Sequence, residues 1–375
     1  MNSDSKNIHI LALVPYKIFP AIMGGQKGIA LFYKYLSTKC TLTCVTTKKN
    51  EARENYTVIA SLSNSRFRYI NPLFYFYYTK IIADKKPTHL LFEHPYFAWL
   101  IVLLRFFTAQ KIIVHSHNIE SIRFKSIGKW WWKILWYYER AAYRNAHFVW
   151  FKTQEDKRYA ITHFGIRNEH CLVLPYGIEA DHLPTSEELL SARTQLEEAH
   201  HIQKDALILL FNGTLNYTPN LDALKNILTK INPILLASNL RYKIIICGKN
   251  LPVDMNELKN EVDKNIIYCG FVDDIDLYFK GCSIFLNPVE DGGGIKTKLV
   301  EALGFGKPCI SSVNGAIGVP IEYTNGRLKI IEDKNWIAYY NAILHIQNEK
   351  FENDNSQFYA NFSWDKIATK AIENL

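Results

Sequence analysis

Apolar residues in this chain fall into short continuous runs separated by stretches with helical spacing, and the alternation occurs twice. The first series of runs covers residues 8–14, 41–47, 89–92, 111–115, 148–151 and 172–174. Runs this short, with no alternation of polar positions, predict strands buried on both faces, as in a parallel sheet. Segments 29–36, 130–143 and 155–163 between them predict helices. The second series, 206–211, 243–247, 266–268, 283–286 and 309–311, alternates with predicted helices over 220–234, 255–262 and 275–279. Strands that alternate with helices predict an α/β fold with a doubly wound sheet. The restart predicts two such domains, 1–180 and 181–355. The polar stretch around Pro184 puts the hinge near 178–188, and a helix over 186–198 opens the second domain. The closing segment, 356–375, contains an amphipathic helix with Ser363 at its N-cap.

One stretch carries most of the chemistry. Strand 283–286 is followed by Gly292, Gly293 and Gly294, then by Leu299, Val300 and Leu303 at helical spacing, and closes at Gly306 and Pro308. Glycines after a strand let backbone approach a ligand closely, and the helix start presents unpaired N–H groups to an anion. Lys298 and Glu301 are three positions apart, on one helix face. A cation beside those N–H groups suits a diphosphate, and a carboxylate one turn on suits the two hydroxyls of a ribose. The layout therefore fits a nucleotide sugar; an ordinary strand–helix turn with surface Lys and Glu is the plainer alternative.

Composition narrows the classes. With 375 residues and 48% hydrophobic content there is material for two cores. The seven cysteines, at 40, 44, 171, 247, 269, 282 and 309, show no zinc-ligand spacing, and their odd number argues against a disulfide framework. Residues 1–7 lack the apolar core of a signal peptide, and no apolar run is long enough to span a bilayer. A cytoplasmic protein is expected. Charge is uneven: residues 1–180 hold 25 basic and 11 acidic side chains, the remainder 19 and 25. A basic first half implies an anionic partner. Two aromatic-basic runs, 66–80 and 129–138, suit a membrane interface or a lipid-linked acceptor as well as they suit a core. No RNA-binding motif accompanies them, and no nucleic-acid partner is expected.

Smaller signals complete the set. Gly24, Gly25 and Gly28 precede an apolar helix, without the G-x-G-x-x-G spacing of a dinucleotide site. His115 and His117 follow a strand, where open α/β sheets place ligands; His117 is expected to face the site and His115 to point the other way. Gly213 and Thr214 end the first strand of the second domain. Asp274 and Asp276 imitate a metal-binding pair, but the preferred reading is helix capping, with Asp273 as N-cap and Asp276 at N3. No metal cage is evident.

The stretch 288–308, with the glycine pair at 24–25, His117-Asn118-Ile119-Glu120, Pro175-Tyr176-Gly177-Ile178, Gly213, Gly270-Phe271-Val272 and Ser363-Trp364, resembles the retaining glycosyltransferases of group 1, family 4. The resemblance implies a GT-B fold, two Rossmann-like domains facing across a cleft, with the C-terminal helix returning to the first domain. It implies no bound cofactor or metal, and a UDP- or GDP-sugar as donor. It assigns Lys298 and the glycines to the diphosphate, Glu301 to the ribose, and His117 to the transferred sugar. Gly24, Gly25, Gly213, Thr214, Gly293, Gly294, Ile295 and Thr297 line the donor site, with Phe271 beside the base. Many members carry a Glu where this chain has Gly293, and an Arg and a Lys soon after Gly213, where it has neither. The chain resembles the branch with a glycine triplet. Backbone N–H groups, or Glu290 or Asp291, are the expected substitutes at the sugar, and Lys298, helped by Lys296, at the phosphates. The basic, aromatic first half makes a glycan or lipid-linked precursor of surface polysaccharide the expected acceptor, met by a peripheral enzyme at the inner face of the cytoplasmic membrane. A non-catalytic scaffold subunit and a sugar-nucleotide epimerase are the alternatives.

Overall fold

The computed structural model describes residues 8–21, 24–51 and 55–375, and structural statements below concern these. The chain divides into two compact units, Met1–Glu179 with Phe362–Leu375, and Ala180–Asn361.

The first unit is built on seven strands: β1 (His9–Leu13), β2 (Thr41–Thr47), β3 (Thr57–Leu62), β4 (His89–Glu93), β5 (Lys111–Ser116), β6 (Phe148–Phe151) and β7 (Cys171–Val173). Their spatial order is β3-β2-β1-β4-β5-β6-β7, and every pair is parallel. Order reverses at β1 and β4, since the chain fills one side of β1 first and then the other. Leu11, Leu13, Phe92, Ile112, Val114 and Phe151 form one apolar face of the sheet. Tyr78, Leu104 and Tyr143 cover it, from helices Leu73–Lys85, Ala98–Phe107 and Trp132–Asn145.

The second unit repeats the plan with β8 (Leu207–Asn212), β9 (Tyr242–Cys247), β10 (Ile266–Gly270), β11 (Ile284–Asn287), β12 (Cys309–Ser312) and β13 (Leu328–Ile331). The order is β10-β9-β8-β11-β12-β13, all parallel, with its reversal at β8 and β11. Leu209, Phe211, Ile244, Ile246 and Leu286 meet Leu224, Ile227, Tyr339 and Ile343 in its core. The helix Ser186–Ala199 begins with a reciprocal cap, Thr185 Oγ1 accepting from the Glu188 N–H and Glu188 accepting from the Thr185 N–H at 2.8 Å.

Two strands escape the sequence pattern, β3 and β13. Both are edge strands whose residues are mostly half-buried or exposed, so they lack the continuous apolar run of a central strand. Segment 255–262, predicted as a helix, is a series of tight turns broken by left-handed Asn256, Glu257 and Leu258. The cap before Ile275–Gly281 is Asp274, which accepts from the Leu277 N–H at 3.1 Å, one residue later than expected.

The C-terminal segment joins the first unit through backbone and one large ring. The Ile178 N–H donates to Phe362 at 2.7 Å and the Trp364 N–H donates to Ile178 at 3.0 Å. Ser363 stands at the N-cap position of helix Trp364–Glu373, but its side chain makes no capping hydrogen bond; the strand-like bridge to Ile178 fixes the start instead. Trp364 is fully buried against Phe32 and Tyr176. Gly177 lies beneath it, where a Cβ would stand 2.6 Å from the indole. The buried Lys152 ammonium lies over both the Phe32 and Trp364 rings, at 5.4 and 5.6 Å. Truncating a ring this enclosed costs about 3–5 kcal/mol. Trp364→Ala is therefore expected to lower the urea midpoint of unfolding by that free energy, with Trp364→Phe losing clearly less; equal stability of all three proteins would refute the role.

Candidate functional site

In the first unit, polar side chains gather where β1, β4 and β5 end. Glu93 closes β4, fully buried. His115 Nδ1 lies 3.1 Å from its Oε1, and His117 Nε2 lies 2.6 Å from its Oε2. The expectation that His115 and His117 point apart is wrong. Residues two apart share a face of a strand, and here they share one carboxylate. Burial holds His115 down at about 4, against the pull of Glu93. Burial and then neighbouring His94 keep His117 well below its usual value. Burial would raise Glu93, but its two imidazole partners more than offset it and hold the carboxyl well below the ordinary range. An ionised Glu93 thus accepts from two neutral imidazoles. With Nε2 donating, His117 carries its acceptor at Nδ1.

His94 extends the array. Its backbone sits at φ 65° and ψ 161°, a conformation costly for a residue with a side chain. Its ring stacks on His117, centroids 4.4 Å apart, and Nε2 meets Tyr16 Oη at 2.8 Å. Glu120 lies 3.5 Å from His94 Nδ1 and accepts from Arg123 Nε at 2.9 Å. Gly24 and Gly25 open the helix Gly24–Leu36, both exposed, and a Cβ at Gly25 would meet nothing within 4 Å.

In the second unit, the loop after β11 leads into the helix Thr297–Gly304. Gly292 and Gly294 take φ 94° and 70°, which explains glycine at both positions. Lys296 Nζ donates to the carbonyls of Gly292 and Gly294, each at 3.0 Å. That places Lys296 as a staple of the loop; the expected help at the phosphates would take it from these contacts. Lys298 Nζ is 2.9 Å from Glu301 Oε2, with Glu301 nearly buried and Lys298 about one-third exposed. Ile295 and Thr297 flank the staple; the Leu299 N–H donates to the Lys296 carbonyl at 3.0 Å, and the N–H groups before it have no acceptor within the helix. Glu290 Oε1 accepts from the Lys334 N–H at 2.7 Å, so this carboxylate caps another loop.

Beside β11, Gly213 and Thr214 follow β8. A Cβ on Gly213 would come 2.7 Å from Asn220, whose Nδ2 donates to the Thr214 carbonyl. A Cβ on Gly248, after β9, would come 2.0 Å from the Gly213 carbonyl. Phe271 follows β10 with its ring exposed.

Residues 24–182 match the family described as Glycosyltransferase Family 4, and residues 206–349 match Glycosyl transferases group 1. The chain belongs to the glycosyltransferases of group 1 and family 4. Among solved structures it resembles sucrose-phosphate synthase from Thermosynechococcus elongatus, at 14% identity and TM-score 0.73, over 98% of each chain. A glycosyltransferase from Rickettsia africae ESF-5 matches at 17% identity and TM-score 0.73, over 98% of this chain and 97% of that one. HepE of Anabaena, solved with UDP-glucose, matches at 15% identity and TM-score 0.68, over 98% and 100%. The fold is GT-B. A comparison with curated proteins finds no match.

Sequence reasoning missed several residues of this glycosyltransferase that the geometry brings to the two sites. Glu93 and His94 follow directly on an apolar strand, the same signal that singled out His117. Asn287, Ser311 and Ser312 hold the base of the glycine loop. Asn287 Nδ2 donates to Ser311 Oγ at 2.9 Å and to the Gly315 carbonyl at 3.0 Å, and Ser312 Oγ donates to the Val289 carbonyl. Glu93, His115 and His117 could also supply three ligand atoms to one cation, a grouping invisible in their spacing. Their direct hydrogen bonds already account for their closeness.

His115 generates a pH prediction. Its folded value, about 4, lies below the 6.5 of an unfolded histidine. Between these values the unfolded chain binds more protons, so stability is present above pH 6.5 and lost as pH falls towards 4. A shift of this size corresponds to about 3 kcal/mol. Urea unfolding from pH 7.5 to 4.5 should show that loss, and His115→Gln should flatten it; an unchanged slope in the variant would refute the assignment.

Proposed function

We propose that this chain transfers a sugar from a nucleotide-sugar donor to a hydroxyl acceptor with retention of anomeric configuration. The observation that carries the reading is the glycine loop and short helix of the second unit, with Lys298 and Glu301 side by side at its start. Backbone N–H groups of Gly293, Gly294, Ile295 and Thr297, with Lys298, hold the diphosphate; Glu301 holds the ribose; Gly213 and Thr214 lie by the phosphates, and Phe271 by the base. His117 offers Nδ1 to a hydroxyl of the transferred sugar, and Gly24 and Gly25 give backbone room near the donor. HepE binds UDP and UDP-glucose, which favours a UDP-sugar over a GDP-sugar here. The acceptor hydroxyl attacks on the face the diphosphate leaves, and the leaving phosphate takes its proton. Charge stabilisation by Lys298 and the helix start then supplies the main catalytic effect, with no bound metal required.

Hydrogen bonds to charged groups are worth about 1.5–3 kcal/mol, or roughly 10- to 150-fold in affinity. Glu301→Ala should weaken donor binding by that factor in calorimetry, and Lys298→Ala should lower turnover further. Donor affinity and turnover like those of the unaltered protein in both variants would sink the reading. Firm donor binding without transfer to any acceptor would favour a non-catalytic binding subunit.

The acceptor side favours a lipid-linked substrate at an anionic membrane surface. Residues 66–145 hold thirteen Lys and Arg against four acids. Three of those acids, Glu93, Glu120 and Glu139, are buried, which leaves Asp84. Phe67, Phe76, Phe106, Phe107 and Trp130 are exposed in the same segment. No helix among the described residues is long and apolar enough to cross a membrane, so attachment would be at the surface. Each basic residue near such a surface contributes about 1 kcal/mol. Co-sedimentation with phosphatidylglycerol vesicles is expected, with a loss of tenfold or more in Lys125→Glu/Lys129→Glu/Lys133→Glu; equal binding to neutral vesicles would refute the electrostatic part.

A further inference from the structure

We propose that Cys269 is a nucleophilic thiol that hydrogen peroxide oxidises and that Cys247 resolves, giving a disulfide between the ends of β9 and β10. The chemistry is separate from glycosyl transfer and does not depend on the donor reading.

The geometry comes from a bulge. β10 pairs with β9 in regular register up to Tyr268, then slips, so that Gly270 and not Cys269 stands opposite Cys247. The slip leaves Cys269 as the extra residue on an edge strand, half-buried and reachable. Three groups converge on it from different elements. The Cys247 thiol, buried at the end of β9, belongs to the residue opposite Gly270, next in the chain to Cys269. His200, just after the helix Ser186–Ala199, places Nε2 at 3.8 Å from its sulfur. Tyr278, on the helix Ile275–Gly281, sets Oη 3.2 Å from the same His200 nitrogen. A thiol beside an imidazole and a second thiol is the arrangement that favours thiolate formation and disulfide exchange. The neighbouring Cys247 thiol, with burial opposing and His200 assisting, lowers Cys269 from the usual thiol range. Its own contact with Cys269 raises His200. Cys247 moves the opposite way, upward. The half-exposed thiol beside His200 is the one placed to meet peroxide, and the buried thiol of the neighbouring strand is the one placed to resolve it. Cys40, the other half-buried cysteine, is pushed up to about 12 by burial alone.

The steps balance. The Cys269 thiolate attacks one peroxide oxygen, the O–O bond breaks, and hydroxide leaves, giving Cys269 sulfenic acid. The Cys247 sulfur then attacks the sulfenic sulfur; its proton and the sulfenic OH depart as water. The two thiols lose two electrons and peroxide gains them. The disulfide would stand next to Gly270 and the exposed Phe271, and would fix the end of an edge strand to its neighbour.

Peptide mapping by mass spectrometry tests this on the intact folded chain. With limiting iodoacetamide at pH 7, Cys269 should label at least tenfold faster than Cys40, and His200→Gln should narrow the difference. After a small excess of peroxide, a cross-linked peptide pair containing Cys247 and Cys269 should appear and vanish with dithiothreitol. In Cys247→Ser, Cys269 should instead be trapped by dimedone as sulfenic acid. Labelling of Cys269 no faster than Cys40, or peroxide treatment that leaves Cys247 and Cys269 unlinked in the unaltered chain, would overturn the proposal.

Discussion

Each unit of this chain is organised by one topological constraint, the reversal of strand order in a parallel sheet. Crossovers between parallel strands keep one hand, so chain that leaves β1 for β2 departs on one side, and chain that arrives at β4 lies on the other. Beyond the carboxyl ends of the two central strands the connections diverge and leave a crevice. In the first unit Tyr16, Glu93, His94 and His117 lie there, after β1, β4 and β5. In the second, Gly213 and the loop 288–296 lie there, after β8 and β11. No long-range recognition is needed to bring these residues together. The sheet order does it, and the apolar runs set the sheet order.

The two crevices are furnished differently. That of the first unit is held by side chains, a buried carboxylate between two imidazoles with a third stacked alongside. Such a network fixes tautomers and ring planes because each donor has one acceptor in reach. That of the second unit is held mainly by backbone, with glycines at positive φ and a lysine tied to two loop carbonyls. A lysine used in this way stiffens the loop so that its N–H groups need little ordering when an anion arrives. A side-chain network of this kind suits the recognition of hydroxyls, and a stiffened backbone loop suits the binding of phosphate.

Much of the fold was legible because central parallel strands are apolar throughout. Strands 41–47 and 148–151 were read to the residue. Edge strands β3 and β13 were not, since a half-wet strand needs neither a continuous run nor strict alternation. The aromatic-basic run 66–80 concealed the helix Leu73–Lys85, whose buried residues Phe74, Tyr78, Ile81 and Ile82 keep helical spacing while Phe76 and Tyr77 face solvent. Periodicity cannot separate rings that fill a core from rings left outside. The closeness of Lys298 and Glu301 was legible because helix geometry is local. Glu93 was not, because its partners lie 22 and 24 residues away and meet it only when β4 and β5 pair. The error over His115 and His117 was one of strand parity, which the sequence alone would have corrected. The tie from Lys296 to the loop was not legible because its partners are carbonyls, which carry no signature in residue type.

The Lys298–Glu301 pair then acquires a meaning that neither residue has alone. In the structure the ammonium and carboxylate neutralise each other at 2.9 Å. On the proposed reading, a diphosphate draws Lys298 towards itself. Glu301 is nearly buried, and two ribose hydroxyls would add donors to a carboxylate whose ammonium has turned to the phosphates. The pair thereby couples the two halves of a nucleoside diphosphate: the phosphates take the cation, and the ribose compensates the anion left behind. A ligand with only one half would disrupt the pair without restoring the balance. Selectivity for a whole nucleotide over free pyrophosphate follows from two side chains three residues apart on a single turn of helix.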